Sequence, residues 1–569
     1  MSVDKTTIEV IRGALVYAAE EMGIALKKSA YSPNIKERMD HSCALFDPKR
    51  RLIAQAEHIP VHLGSMAFAV REGLAAYKNT IDPGDMILLN DPYLSGTHLP
   101  DLTLIAPIIQ GRTLVGYAAN KAHHTDIGGI APGSMAGDST ELYQEGLIIP
   151  PIKFVKSGAI DEELSWLIRS NVRTPDVQMG DLRAQIAANN TGINRVQELV
   201  NKYGADVLHA AMEEIMNYSE RRMRAAIREM PRGTYKSVDY MEDVPGLGLA
   251  EIKLAVTIDD EVIAFDYSGT CLQVEAPINA PLGVTVAGIY YTLITVTDPT
   301  IPVNDGCFRP VTLRIPEGTI MNPHRPAPVA GGNVETSQRN VDVLMKAFAQ
   351  IIPKRVPAAG NGTMSNISIG GIRLDKSPWT FYETIGGGSG GRPSIDGVDG
   401  VHVNMTNTMN TPIESLEAYL PMHFVSYGLR PDTGGTGEYR GGCGIERSWI
   451  LTTPKATLSI LAERTKIPPW GLEGGGTGAL GEYMVMKRNG DVVRLPSKCT
   501  VQIEKGDALI VHTPGGGGYG NPKKREKESV LRDVLNGFVS SEVAERDYGV
   551  IIDLKNMKID EERTFLLRS

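Results

Sequence analysis

The sequence has few of the features that would send a chain to a membrane, a secretory route or a nucleic acid. No run of about 18 apolar residues occurs among its 569 residues, so no membrane span is expected. The first residues, MSVDKTTIEVIRGALVYAAEEMG, are charged from the start and lack a basic stretch followed by an apolar run, which argues against a secretory signal. Cysteine is scarce: Cys43, Cys271, Cys307, Cys443 and Cys499 are odd in number and never spaced CxxC. Reduced thiols in a cytoplasmic protein are therefore expected. Positive charge is also in deficit, 58 Lys and Arg against 67 Asp and Glu, with no long basic run. Nucleic acid and anionic membrane, both held by clustered positive charge, are not expected partners. Aromatic residues are only 6%, whereas glycine (60) and proline (35) are plentiful. That mix suits many turns, short strands and ordered loops, and the recurring apolar segments argue against disorder.

What is present is a chain long enough for more than one core. Residues 5–30 read as an amphipathic helix, with Ile8, Ile11, Leu15, Ala18, Met22 and Leu26 at helical spacing. Residues 82–109 read as strand, loop, strand, and 112–129 as a strand ending in a polar loop. Residues 161–229 are mainly helical, with KYGADVLHAAMEEIMNYSERRMRAAIREM the clearest long helix. From Gly233 strand alternation takes over, residues 281–297 fit a helix or a buried strand, and 333–352 begin as a loop and become a helix. The expected fold is α+β and multidomain, with mixed sheets, a helix-rich N-terminal part and a strand-rich C-terminal part. The divisions expected are 1–230, 231–360, a Gly-rich β region 361–525 and a C-terminal tail 526–569.

The chemistry concentrates between Asp91 and Asp126. NDPYLSGTHLPD and KAHHTDIGG sit at the ends of strand-like runs, where loops commonly carry function. His98 precedes Asp101 by three residues, and His123 precedes Asp126 by three. Imidazole with carboxylate suits zinc, manganese or iron in the divalent state. Three histidines of only 11 in the chain fall in this span, which favours a metal site over isolated turn hydrogen bonds. The candidate ligands are His98, Asp101, His123, His124 and Asp126, with Asp91 as a further candidate. If 123–126 is extended, His124 and Asp126 share a face. If it turns, His123 and Asp126 can both face the ion. Asp40 in KERMDHSCALFD is a candidate general base, or a turn-forming residue; His58 and His62 in AEHIPVHLG are further polar candidates.

The Gly-rich runs at 331–333, 386–392 and 513–522 match no phosphate-binding loop, since GxxxxGK[ST] is absent and no GxGxxG opens a helix after a strand. ATP binding by this chain is therefore not expected, and close backbone packing is the preferred reading of the glycines.

Six segments together resemble the hydantoinase B/oxoprolinase family: KERMDHSCALFD (36–47), NDPYLSGTHLPDLTLIAPI (90–108), AHHTDIGG (122–129), APVAGGNVETSQRNVD (327–342), DGVDGVHVNMTNTMNTPIESLE (396–417) and HTPGGGGYGNP (512–522). The resemblance implies a B subunit that completes hydrolysis of a cyclic amide, a hydantoin or lactam. An A subunit, holding ATP and magnesium, would first phosphorylate the amide oxygen. It implies a divalent metal on His98, Asp101, His123 or His124, and Asp126, with Asp40 activating water. It also implies a heterotetramer of two A and two B chains. His41 departs from the family pattern, where phenylalanine is expected beside the base. Two alternatives are a subunit of an ATP-dependent ketone carboxylase and a non-catalytic scaffold for the A subunit.

Overall fold

Asp4 accepts a hydrogen bond from the Thr7 amide, and Lys27 and Lys28 close the far end, so charge suits both ends of the first helix, α1 (Lys5–Ser29). Its Ile11, Leu15, Ala18, Met22 and Leu26 are all buried. The computed structural model describes residues 3–56, 58–77 and 80–568. After a short α2 (Pro33–Lys36), the strands β1 (His41–Phe46), β2 (Leu52–Ala56), β3 (Met86–Leu89), β4 (Asp101–Gln110), β5 (Thr113–His123), β6 (Ile152–Lys156) and β7 (Ala159–Ile160) form one sheet, ordered β2-β1-β5-β4-β3-β6-β7. Neighbours are antiparallel throughout.

Both faces of this sheet are covered. Cys43 and Leu45 of β1 pack with α1, α6 (Pro175–Tyr203) and α7 (Ala205–Arg228). The alternate residues Ala44 and Phe46 pack with α3 (His62–Ala75) on the opposite face. The period of two along the strand thus serves two separate cores. The short α4 (Pro92–Ser95) and α5 (Glu162–Asn171) complete this part. The long helix expected over 202–230 is interrupted at Gly204, whose φ of 82° ends α6 and starts α7.

The segment left open between helix and strand is a helix, α8 (Leu282–Val296), buried among the residues of a second core. That core also holds β8 (Gly233–Val244), β9 (Gly248–Asp259), β10 (Val262–Asp266) and β11 (Val311–Arg314), ordered β11-β10-β9-β8. The loop expected before the 333–352 helix is a single π turn, Gly332–Thr336, which runs into α9 (Ser337–Ile351). Gly332 has no alternative: a Cβ there would lie 1.8 Å from the Asn279 carbonyl oxygen.

The next strands are β12 (Asn366–Ile372), β13 (Pro378–Glu383), β14 (Met422–Leu429), β15 (Ile445–Leu451), β16 (Lys455–Leu461), β17 (Glu482–Met486), β18 (Val492–Arg494), β19 (Lys498–Glu504) and β20 (Ala508–His512). They form sheets β13-β12-β16-β19 and β14-β15-β20-β17-β18 around a shared core, with α10 (Ile413–Tyr419) between β13 and β14. The Gly-rich loops pack backbone to backbone; a Cβ on Gly388 would sit 1.9 Å from the Gly442 oxygen. The last residues form helices Lys527–Leu535, Ser541–Arg546 and Glu561–Arg568 around a small core of their own. Among the described residues no helix is long and apolar enough to cross a membrane.

A buried charge network ties α9 to its surroundings. The Arg339 guanidinium lies 3.1 Å from Glu463, 3.5 Å from Asp342 and 3.7 Å from Asp239 on β8. Arg464 pairs with Asp342, and Lys498 with Glu463. Removing one member leaves buried charge without its partner. Arg339→Met should therefore cost about 3–5 kcal/mol, seen as a lower midpoint in urea denaturation followed by tryptophan fluorescence.

Candidate functional site

Strand register assembles the site. β4 and β5 are antiparallel, with Asp101, the first residue of β4, directly opposite His123, the last of β5. On the other side of β5, His41 opens β1 opposite Ala122, and the His123 amide donates to the Asp40 carbonyl at 3.0 Å. Asp40, just before β1, His123 of β5 and Asp101 of β4 therefore meet at one end of the sheet. His98 joins them through the turn into β4, where the Asp101 amide donates to the His98 carbonyl.

Three donor atoms meet there. His98 Nε2 is 3.1 Å from Asp101 Oδ1 and 3.1 Å from His123 Nδ1, and His123 Nδ1 is 3.2 Å from the same Asp101 oxygen. All three residues are at most 2% exposed. They line a cavity of about 20 Å³ together with Asp40, His62, Asn333, Tyr382, Thr384, Thr406 and Thr408. That volume holds roughly one water or ion.

Electrostatics splits the two imidazoles. Burial would depress His98, but the charge and hydrogen bond of Asp101 outweigh it and leave His98 above the ordinary histidine value. Burial dominates at His123 and lowers it. Burial alone would raise Asp101; the His98 charge and hydrogen bonds from His123, His62 and His98 hold it well below the usual carboxylate range.

Each group is held by a further shell. His98 Nδ1 faces the Ala330 carbonyl at 3.3 Å, which leaves Nε2 for the cluster. Glu145 holds that carbonyl's segment by accepting the Val329 and Ala330 amides at 3.0–3.1 Å; burial pushes its carboxyl up to about 7. His62 Nδ1 is 3.0 Å from Ser42 Oγ, and its Nε2 is 3.6 Å from Asp101 Oδ2. The Tyr382 ring stacks on His123 with centroids 4.4 Å apart. Fully buried Arg38 lies 3.9 Å from Asp40 and donates to the Tyr382 carbonyl and to Thr384 Oγ1. Lys121, also fully buried, donates to the Ser95 carbonyl and Thr97 Oγ1 just before His98, and burial pushes its ammonium down to about 7.

The remaining candidates lie elsewhere. Alternation along β5 sends His124 away from His123: its Nε2 contacts Gln185 Oε1 of α6 at 2.9 Å. Asp126 is a turn organiser, accepting the Gly128, Gly133 and Arg173 amides at 3.0 Å and the Arg173 guanidinium at 2.9 Å. Asp91 caps α4 by accepting the Tyr93 amide and pairs with Arg325. His58 lies 3.9 Å from Glu20 and off the cavity. His41, the departure from the family pattern, packs its ring 4.9 Å from that of His58, and burial pushes it down to about 3, so it is neutral. Asn333, Tyr382 and the threonines of the cavity carry no spacing signal in the sequence. Asn333 is reachable only as the polar residue after two consecutive glycines.

Asp126→Ala strands three backbone amides and a guanidinium. We expect a loss of about 3 kcal/mol or more in urea denaturation, with the His98–Asp101–His123 cluster itself still assembled.

Comparison with known proteins places this arrangement. Residues 4–522 match the hydantoinase B/oxoprolinase family. An uncharacterized protein of Methanocaldococcus jannaschii is 48% identical over the whole of both chains. A protein of a Pseudomonas strain, named as the B component of a D-/L-hydantoinase, is 35% identical over 100% of this chain and 98% of its own. The 5-oxoprolinase of Dictyostelium discoideum is 37% identical over 93% of this chain, which spans only 41% of that larger protein. The crystal structure of an ATP-dependent caprolactamase from Pseudomonas jessenii superposes with a TM-score of 0.93 at 32% identity, covering both chains entirely. The chain belongs to the hydantoinase B/oxoprolinase family.

Proposed function

We propose that this chain is the B component of an ATP-dependent cyclic amide hydrolase and completes ring opening at the His98–Asp101–His123 cluster. The observation that carries the reading is the triangle of donor atoms with edges of 3.1–3.2 Å, buried beside Asp40. Two imidazole nitrogens and a carboxylate oxygen converge at a spacing that a shared cation satisfies when the imidazoles give up their protons at these atoms. Two donors bound to one ion at about 2.0–2.1 Å lie about 3.0–3.4 Å apart, so the triangle fits a divalent ion. Asp101 Oδ2, buried without a hydrogen-bond partner, leaves a further carboxylate lone pair beside the triangle. The ligands would be His98, Asp101 and His123, a set that suits zinc, manganese or iron. Bound there, a divalent ion lowers the pKa of water and stabilises developing negative charge.

The chain's own residues supply the rest. The partner A component, using ATP and magnesium, converts the amide oxygen into a phosphate ester. Water then adds to the ring carbon and gives its proton to the Asp40 carboxylate. The carbon–nitrogen bond breaks as the added hydroxyl releases its remaining proton to solvent and becomes a carbonyl, the ring nitrogen takes up the proton held by Asp40, and an acyl phosphate remains. A second water releases it as carboxylate and phosphate. Arg38, fixed by Thr384 and the Tyr382 carbonyl, keeps Asp40 in place. Asn333, whose side-chain oxygen has no partner, is free to orient the substrate. The Pseudomonas relative named as the B component of its hydantoinase supports a partner A component, and an A2B2 assembly is part of the proposal.

Metal analysis of purified chains tests the ligand set. Asp101→Ala and His98→Ala should lose the bound divalent ion, whereas His124→Ala should retain it. Retention by the first two would overturn the assignment. Asp40→Asn in the reconstituted complex should keep the ion and lose about 10²–10⁴-fold in ATP-dependent ring opening. Unchanged turnover would leave Asp40 as a structural partner of Arg38. Incorporation of labelled bicarbonate into a ketone, with no ring-opened product from any cyclic amide, would instead support carboxylation.

A further inference from the structure

Arg38 is a buried cation without a close counter-charge. It is 0% exposed, and among the described residues its one ion-pair contact is Asp40, 3.9 Å away and beyond hydrogen-bonding reach. Its guanidinium bonds go to neutral oxygens. They are Asn34 Oδ1 at 3.5 Å, the Tyr382 carbonyl at 3.1 Å, and the Thr384 and Thr408 hydroxyls at 2.6 and 3.4 Å. A cation taken out of water is costly to hold unless negative charge comes close to it.

The two hydroxyls pass the charge onward. A guanidinium only donates, so the oxygens of Thr384 and Thr408 accept from Arg38 and must send their own protons elsewhere. Thr384 Oγ1 and Thr408 Oγ1 are 2.8 Å apart, and Thr406 Oγ1 lies 3.4 Å from Thr408 Oγ1. No other acceptor is within reach of the three hydroxyls among the described residues. Three O–H groups therefore share two contacts, and one proton is left without an acceptor in the chain. All three threonines line the metal-sized cavity together with Asp40 and the donor cluster. Bonds that run in a chain from a guanidinium strengthen one another, so the spare O–H is a better donor than an ordinary hydroxyl.

A negatively charged acceptor answers both deficits. It takes the spare proton, and it brings its charge to within one hydroxyl of Arg38. In the proposed reaction such a group arrives with the substrate, because the ring reaches this chain with a phosphoryl group on the former amide oxygen.

We propose that Thr384, Thr406 and Thr408, backed by Arg38, form the subsite for that phosphoryl group. Its identity as the phosphoryl group of a cyclic amide rests on the function proposed above; the site for a tetrahedral anion rests on the threonines and Arg38.

The wall that carries two of these residues is a single run of irregular chain. Thr406 and Thr408 are buried against the cavity, whereas Asn407 and Met409, which alternate with them, are exposed. The backbone bonds to this run are long: the Val61 amide to the Met405 carbonyl and the Met409 amide to the Arg38 carbonyl, each at 3.3 Å. The Asn407 side chain adds a bond to the His58 carbonyl at 3.0 Å. A phosphoryl group is larger than the cavity of about 20 Å³, so it enters by displacing residues 405–409 while the donor cluster stays fixed on its sheet.

The test measures binding of inorganic phosphate to the intact chain by isothermal titration calorimetry, with divalent metal content assayed alongside. Wild type should bind phosphate. Thr406→Val and Thr408→Val each remove one hydroxyl and keep nearly the same shape. Both should weaken binding by about tenfold or more, the worth of one hydrogen bond to a charged group, with metal content unchanged. Thr408→Ser keeps the hydroxyl and should bind as wild type does. In the reconstituted complex, Thr408→Val should lower the amount of ring opened per ATP cleaved. Phosphate affinity equal to wild type in both valine variants would overturn the proposal and leave any bound anion to the donor cluster alone. Absence of phosphate binding by the wild type would overturn it as well. If wild type binds phosphate and the valine variants do not, but no cyclic amide is opened, the anion site stands and the proposed reaction falls.

Discussion

The antiparallel register of β4 against β5 is the constraint on which the site depends. It places Asp101 opposite His123 and so fixes two of three donor atoms with backbone hydrogen bonds alone. A slip by one residue would exchange His123 for His124 and turn the cluster toward α6. The register is defended by burial on both faces. Ala118 and Ala122 of β5 pack on the α1 side, while Ala119 and Tyr117 pack on the α3 side. A polar lock reinforces it: Asn120 and Gln185 exchange hydrogen bonds, and His124 contacts the same glutamine. Two adjacent histidines thus have different work, one at the donor cluster and the other at the lock that keeps the first in register.

Much of this is legible in the sequence, and the failures have physical causes. The density of His and Asp between Asp91 and Asp126 marks the region in which His98, Asp101 and His123 come together. Which residues converge depends on whether residues 123–126 stay extended or turn. β5 ends at His123, so alternation decides between the two histidines, and Asp126 falls in the loop beyond, where Arg173 claims it. His62 reaches the cluster from α3, a helix whose packing against the sheet is a tertiary fact. Asn333, Tyr382 and the threonines come from segments more than two hundred residues away, so no local spacing could bring them together. The helix at 282–296 is ambiguous in sequence for a related reason: even its partly exposed face, with Val286, Tyr290 and Ile294, is apolar, so no polar stripe reveals its period.

The resemblance and the geometry contribute different things. Family membership rests on motifs spread from 36 to 522, which describe the whole fold, Gly-rich loops included. It does not by itself choose between His123 and His124, nor separate a turn-capping Asp126 from a ligand. Distances do that. Conversely, a triangle of donors 3.1–3.2 Å apart says nothing of lactam, hydantoin or ketone. The substrate reading comes from the relatives and stands or falls with turnover by the assembled complex.

The donor cluster is also expensive to hold in place, which explains the charges buried around it. Asp101, Lys121, Arg38 and Glu145 are all removed from water, and each unpaired would cost several kcal/mol. Each of the last three is tied to backbone from a different stretch of chain: Lys121 to the turn before His98, Glu145 to residues 329–330, and Arg38 to β13. The cluster therefore cannot form until the N-terminal sheet, the segment leading into the π turn and the C-terminal sheets have packed together. Rigidity here comes from dependence on three distant parts of the chain.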